Sequence, residues 1–263
     1  MSDTHSLTQE TNGSPTVGFY AQLQLAFDHF NEHLFESKLP PCLITLRSSS
    51  RHYGYHHKDR FINLRGTMID ELGLHPGFFT LRPVEEVLST LVHEMVHHWQ
   101  DTYGQPSRSN PHNRQWASKM REIGLEPTST GLPGGKDTGQ TVSHFIKPDG
   151  PFITACRLLL KKGFELPWFD RHLPRVILPT EERQVALKEA GVAVAVSTPL
   201  IARLPEAVDG KQTVISPPPK QVVDRVRYTC AGCGVRAWAK SGVRIICGEC
   251  ATVLDSCIVD RQM

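Results

Sequence analysis

Long apolar runs are missing from this sequence, and no stretch approaches the length that a bilayer crossing requires. The first fifteen residues, MSDTHSLTQETNGSP, also lack the basic n-region and apolar core of a secretory leader. Both absences argue against a membrane partner and lead to the expectation of a soluble, cytoplasmic protein. Charge of one sign is lacking as well. The 29 Lys and Arg stand against 27 Asp and Glu, a formal net charge of +2. So mild a bias permits contact with nucleic acid without arguing for it. There are no internal repeats. GLPGGKDT at 131–138 lacks the GxxxxGK[ST] spacing of a phosphate loop and carries Asp137 where Ser or Thr is needed, so it reads as a loop near the cleft.

At 263 residues the chain can bury one substantial core and still carry a smaller module. Four of its seven cysteines form two CxxC pairs, Cys230 with Cys233 and Cys247 with Cys250, separated by thirteen residues. That spacing points to a structural four-cysteine zinc ribbon, two knuckles joined by a β-hairpin, in which the metal replaces a hydrophobic core. Cys42 and Cys156 are isolated, and Cys257 follows too late to join either pair. Arg225, Arg227, Arg236, Lys240 and Arg244 surround Trp238 in this module. Basic side chains around an exposed aromatic suit single-stranded nucleic acid, which makes Arg236, Trp238, Lys240 and Arg244 candidate contacts. The competing account is that Trp238 packs on the hairpin and the charges only solvate it.

Along the rest of the chain, Phe19, Leu23, Phe27, Phe30 and Leu34 recur at helical spacing behind a Ser14–Pro15 cap signal. CLITLRSS and RFINLR read as short strands, with Gly54 in a turn between them, giving a small, mostly antiparallel sheet. RPVEEVLSTLVHEMVHHWQDTYG is the clearest helix, with Pro83 in its first turn, Glu85 and Glu86 at its positive end and Gly104 just past its last turn. A further helix is predicted with Asn110 as N-cap, Pro111 at the first position and His112 in the first turn, and with Trp116, Met120 and Ile123 facing inward.

The clearest helix carries the chemistry. Residues four apart share a face, so His93 and His97 can present imidazole nitrogens to one ion, with Glu94 within reach of a water that the ion holds. Partly buried histidines with ordinary hydrogen-bond partners are the bland alternative. A hydrolytic zinc site needs a third protein ligand and an open position. The compact HExxHxxGxxH arrangement is absent, because positions 100 and 103 are Gln and Tyr. Asp101 lies about 6 Å along the axis from His97, Glu122 falls near a helix end, and Glu126 follows it. His112 is favoured because a loop of modest length lets the chain reverse and its capped helix fixes the ring. His98 points elsewhere on the helix and is not expected to be a ligand. Tyr53, Tyr55, His56 and His57 either line the cleft or simply pack.

The stretch HEMVHHWQDTYGQPSRSNPHNRQWASKM resembles the core motif of SprT-like metallopeptidases, which include the Spartan proteases of DNA–protein crosslink repair. The family pattern is HExxH, a polar loop, and a third His followed by an aromatic, here His93, Glu94, His97, His112 and Trp116. Asn113 departs from the Gly common at that position. The resemblance covers roughly residues 15 to 125 and the cysteine module. It implies an α+β, zincin-like catalytic domain at 14–125 and a zinc ribbon at 228–263. Composition, not the resemblance, makes 1–13 disordered, 126–215 a loop-rich region with helical and strand-like patches such as ITACRLLLKK and GVAVAVST, and 216–227, opening on SPPPK, a stiff linker. The resemblance further implies one catalytic and one structural Zn²⁺, Glu94 as general base, and an endopeptidase acting on DNA-associated or DNA-crosslinked proteins. A different class remains open: a non-catalytic zinc-binding protein acting in nucleic-acid transactions or transcription. Oligomeric state and physiological substrate are not legible.

Overall fold

The computed structural model describes residues 14–48, 52–172, 180–208, 211–212 and 226–257. The expected disordered N-terminus and the SPPPK linker lie outside them, as does Arg225. The chain divides into two compact units, residues 1–218 and 219–263.

In the first unit, the long helix α1 (Pro15–Phe35) buries the predicted stripe of Phe19, Leu23, Phe27, Phe30 and Leu34. Ser14 occupies the N-cap position but its side chain makes no capping bond. Three strands follow, β1 (Leu43–Leu46), β2 (Gly54–Ile62) and β3 (Met68–Leu74), in the sheet order β1-β3-β2. β1 runs parallel to β3 and β2 antiparallel to it, so this sheet is mixed. Gly54 is therefore not in a turn. It opens β2, opposite Leu74, and GYHHKDRFI is one edge strand interrupted by a register shift between His57 and Phe61. Asp59, with φ 50°, sits inside that irregularity and donates its N–H to Asp70 Oδ1 at 2.8 Å.

Helix α2 (Val84–Tyr103) crosses the middle of the unit and is buried on every side along most of its length. A helix enclosed this way must have its polar side chains paired. Glu85 accepts from Ser197 N–H and Oγ, and Glu86 accepts from Arg82, Arg183 and Gln184. Helix α3 (Arg114–Glu122) begins later than expected. Asn113, not Asn110, is its N-cap, accepting from Trp116 N–H at 3.1 Å, so His112 precedes the helix rather than lying in its first turn. Asn113 thus fills the position where the family commonly has Gly with a side chain suited to capping.

The region expected to be loop-rich supplies part of the same core. β4 (Leu125–Thr128) pairs antiparallel with β5 (Ser143–Ile146), and α4 (Pro151–Lys161) packs on α1 with Phe152 stacked on Phe30 at 5.5 Å. Helix α5 (Thr180–Glu189) and a two-residue pair, β6 (Ala207–Val208) with β7 (Lys211–Gln212), complete the unit. GVAVAVST forms no strand. The class is α+β, with small sheets.

In the second unit β8 (Val226–Thr229) is flanked by β9 (Arg236–Ala239) and β10 (Asp255–Cys257), both antiparallel to it, around a small core of Tyr228, Cys230, Cys247 and Leu254. The first CxxC forms the turn between β8 and β9, and the second sits between the bridged residues Ile246 and Val253. No hairpin joins the two CxxC turns, because β9 pairs back on the strand that precedes the first of them.

Candidate metal centre

His93 and His97 lie one turn apart on α2, and His112 arrives from the segment before α3. The three offer ligand atoms that all lie within 4.8 Å of one another. Two features hold His112 there. Its backbone bridges Gly139, with N–H···O contacts of 3.4 and 3.1 Å, and its Nδ1 lies 3.1 Å from Gly139 O. Carbonyl oxygen only accepts, so Nδ1 carries the proton and Nε2 is left for an ion.

Trp116, fully buried in the first turns of α3, forms the floor. Its ring lies 4.9 Å from His93, 5.3 Å from His97 and 4.6 Å from His112. The aromatic after the third His is therefore the surface on which all three imidazoles rest. Truncating a buried Trp typically costs about 3–5 kcal/mol, and here it would also free the rings.

His93 has a partner that sequence reasoning missed. His144, on β5, places its Nδ1 3.1 Å from His93 Nδ1 and its Nε2 2.9 Å from Ser89 Oγ. The Ser89 hydroxyl donates to Glu86 O at 2.9 Å. With that proton committed, Ser89 Oγ accepts from His144 Nε2–H, so His144 Nδ1 is an acceptor and takes the proton of His93 Nδ1. The chain of bonds leaves His93 Nε2 as a lone-pair donor. A histidine 51 residues from its partner, in a segment without clear periodicity, carries no local signal in the sequence.

Burial pushes His93 and His97 well below the usual histidine range, and their neighbouring imidazoles add to the effect. Burial also lowers His112, and it lowers His144 with the help of the Arg183 and Arg82 cations. All four are thereby kept neutral, the form that binds metal. Burial raises the Glu94 carboxyl to about 8. Gly54 explains how β2 approaches it: a Cβ at Gly54 would lie 2.9 Å from Glu94 Oε1 and 2.9 Å from Thr90 Cγ2.

The site opens into a cavity of about 1030 Å³ lined on one side by residues 52–59 of the edge strand and its approach, and on the other by residues 140–144. Tyr53, Tyr55, His56 and His57 all border it. They are also packed: Tyr55 Oη donates to Glu71 Oε1 at 2.9 Å, and Tyr53 meets Phe78 edge-on at 4.7 Å. Asp101 sits 3.3 Å from His56 Nδ1, while Glu122 pairs with Lys119 and Glu126 with Arg121, so none of the three joins the histidine cluster.

A model of the SprT-like family matches residues 23–135, which take in His93, Glu94, His97, His112 and Trp116. An uncharacterized protein in the mucB 3′ region of Salmonella typhimurium is 49% identical over 59 residues, 22% of this chain and 80% of that protein. The chain belongs to the SprT-like family. No solved structure matches it. SprT-like membership and the histidine cluster support a metal-binding, metalloprotease-like protein, and among the described residues no helix is long and apolar enough to cross a membrane.

In the second unit, Cys230, Cys233, Cys247 and Cys250 bring their sulfurs within 4.8 Å of one another, a group compatible with zinc. Arg236 and Trp238 alternate along β9 and therefore share a face, and both are exposed, as are Lys240 and Arg244. Trp238 is 61% exposed, so it does not pack into the small core.

Proposed function

We propose that this SprT-like chain is a zinc-dependent endopeptidase, with His93, His97 and His112 holding the catalytic ion and Glu94 acting as general base. The observation that carries the reading is the convergence of three imidazoles with the buried Glu94 carboxyl on a cavity bordered by the edge strand β2. The donor set fits zinc: three nitrogens, two of them with their Nδ1 protons directed away, and room for a fourth ligand on the cavity side.

When bound, the ion polarises a scissile carbonyl and lowers the pKa of water to about 7. Glu94 then takes the proton of the attacking water and delivers it to the leaving amine. The β2 edge offers main-chain groups to an extended peptide, and contacts of that kind tolerate varied side chains. This suits a zincin-like protease of loose specificity.

We further propose that the four cysteines form a zinc ribbon and that Arg236, Trp238, Lys240 and Arg244 bind DNA, directing the protease to DNA-associated or crosslinked proteins. The exposed Trp238 on a basic face supports this, together with the family resemblance. The protein so directed acts in the cytoplasm. A non-catalytic zinc protein in nucleic-acid transactions is the rival, and the buried Glu94, which lines the same cavity as the three histidines, has no evident purpose in it.

The test is cleavage of a DNA-bound protein substrate by the full chain, with and without single-stranded DNA, beside Glu94→Gln. Cleavage that needs Glu94 and rises with DNA supports the reading. Equal behaviour of wild type and Glu94→Gln would leave the binding protein as the answer.

A further inference from the structure

A second group of potential ligands gathers beside the first, on three different elements: His56 on β2, Asp70 on β3 and His98 on α2, with donor atoms within 4.8 Å of one another. Asp70 Oδ2 is their meeting point, 2.8 Å from His56 Nε2 and 2.6 Å from His98 Nδ1. The far nitrogen of each ring also faces an oxygen. Pro40 O lies 2.9 Å from His98 Nε2, and Asp101 Oδ2 lies 3.3 Å from His56 Nδ1.

A neutral imidazole has one N–H and one lone pair. Pro40 O can only accept, so His98 spends its N–H outward, and an ionised Asp101 draws the His56 N–H outward in the same way. Two lone pairs then converge on a carboxylate oxygen. The space holds little water: the side chains of His56, Asp70 and His98 are 6%, 10% and 2% exposed. Three electron-rich atoms aimed at one another are unfavourable without a cation between them. Outward N–H groups on a carboxylate and a backbone carbonyl are, moreover, the surroundings that metal-binding histidines have. The Asp59 N–H on Asp70 Oδ1 turns the other oxygen toward the rings.

We propose that His56 Nε2, His98 Nδ1 and Asp70 bind a divalent transition-metal ion of the zinc and iron(II) class, distinct from the ion read at His93, His97 and His112. Imidazole with carboxylate suits such ions. The two sites share no ligand, although the rings of His56 and His97 lie parallel at 6.4 Å. Because its ligands come from β2, β3 and α2, this ion fastens the edge strand to the histidine helix and sets the width of the cleft between them. The competing arrangement has doubly protonated rings, His56 between Asp70 and Asp101 and His98 between Asp70 and Pro40 O. It needs no metal.

Elemental analysis of the full chain, equilibrated with zinc and desalted, separates the two. With the ribbon and the histidine site filled, wild type should carry about three ions per chain, and His56→Gln and Asp70→Asn should each lose about one. About two ions in wild type, unchanged in both variants, would overturn the proposal. His112→Ala reports on the other site. If it alone fails to lower the count, the catalytic reading falls and this one stands; if it alone lowers the count, the reverse holds. Should the buried substitutions unfold the chain by circular dichroism, Asp101→Ala decides, since it spares all three donor atoms and removes the acceptor facing His56 Nδ1. It should weaken zinc at this site about 10–100-fold in chelator competition, and unchanged affinity would refute the site.

Discussion

Replacing Gly54 with Ala adds a single methyl group, and its effect can be worked out from the positions of three atoms. Gly54 does not have positive φ, so the backbone itself accepts alanine. The added Cβ would meet Glu94 Oε1 and Thr90 Cγ2 at 2.9 Å each, closer than real Cβ contacts come, and Glu94 Cγ at a tight 3.0 Å. Thr90 is held by Arg82, whose Nη1 donates to its Oγ1 at 2.9 Å, so the threonine yields poorly. Either β2 lifts or the Glu94 carboxylate rotates away from the ion. Both displace the base relative to the bound water by a few tenths of an ångström to about 1 Å, and misplacement on that scale costs about 100-fold in rate, or about 2.7 kcal/mol of transition-state energy. None of the three proposed metal-binding histidines is touched. Gly54→Ala should therefore keep its zinc and lose kcat on an unfolded protein substrate, with a stability cost of about 1–3 kcal/mol from overpacking. Wild-type kcat in a folded, zinc-loaded Gly54→Ala protein would refute the assignment of Glu94 as base in the pose it has here.

Two further predictions concern the same centre. His144→Phe keeps the ring volume but removes the acceptor for His93 Nδ1–H, so zinc affinity at the histidine site should fall about 10–100-fold in competition with a chelator; unchanged affinity would mean that His144 does not orient His93. In the metal-free protein the raised Glu94 pKa makes the folded chain keep a proton that the unfolded chain has already lost, so stability falls as pH rises from the ordinary 4.5 toward about 8. Melting temperatures of chelator-treated wild type, compared with Glu94→Gln, should show wild type losing ground steadily across that window. A constant difference would mean that the carboxylate is not desolvated.

Helix α2 and its histidine pair are legible in the sequence because an apolar stripe at helical period needs no tertiary information. The four-cysteine group is legible for a similar reason, since spacing within a turn is local. The start of α3 is not. Asn110 and Asn113 both precede helix-compatible runs, and the bridge of His112 to Gly139 selects the second by keeping 111–112 extended. Strand β3 escapes a sequence reading because Asp70 and Glu71 stand in its middle, and charged residues in an apolar run read as loop. They are buried only because the fold brings His56 and His98 to Asp70, and Thr45, Tyr55 and Arg47 to Glu71. His98 lies outside the group formed by His93, His97 and His112 but inside a second one with His56 and Asp70, which its place on the helix does not reveal because those partners belong to other elements. The polar alternation of GYHHKDRFI likewise resembles a turn until its pairing with β3 is known.

Both walls of the cavity touch the side chains read here as metal ligands or as their partners. On one side Gly54 rests against Glu94 and His56 reaches Asp70. On the other, Gly139 holds His112 and His144 holds His93. If the two proposed ions bind, both walls of the cavity are tied to them through these contacts, so stripping the metal should loosen the grip on an uncleavable peptide as well as stop cleavage.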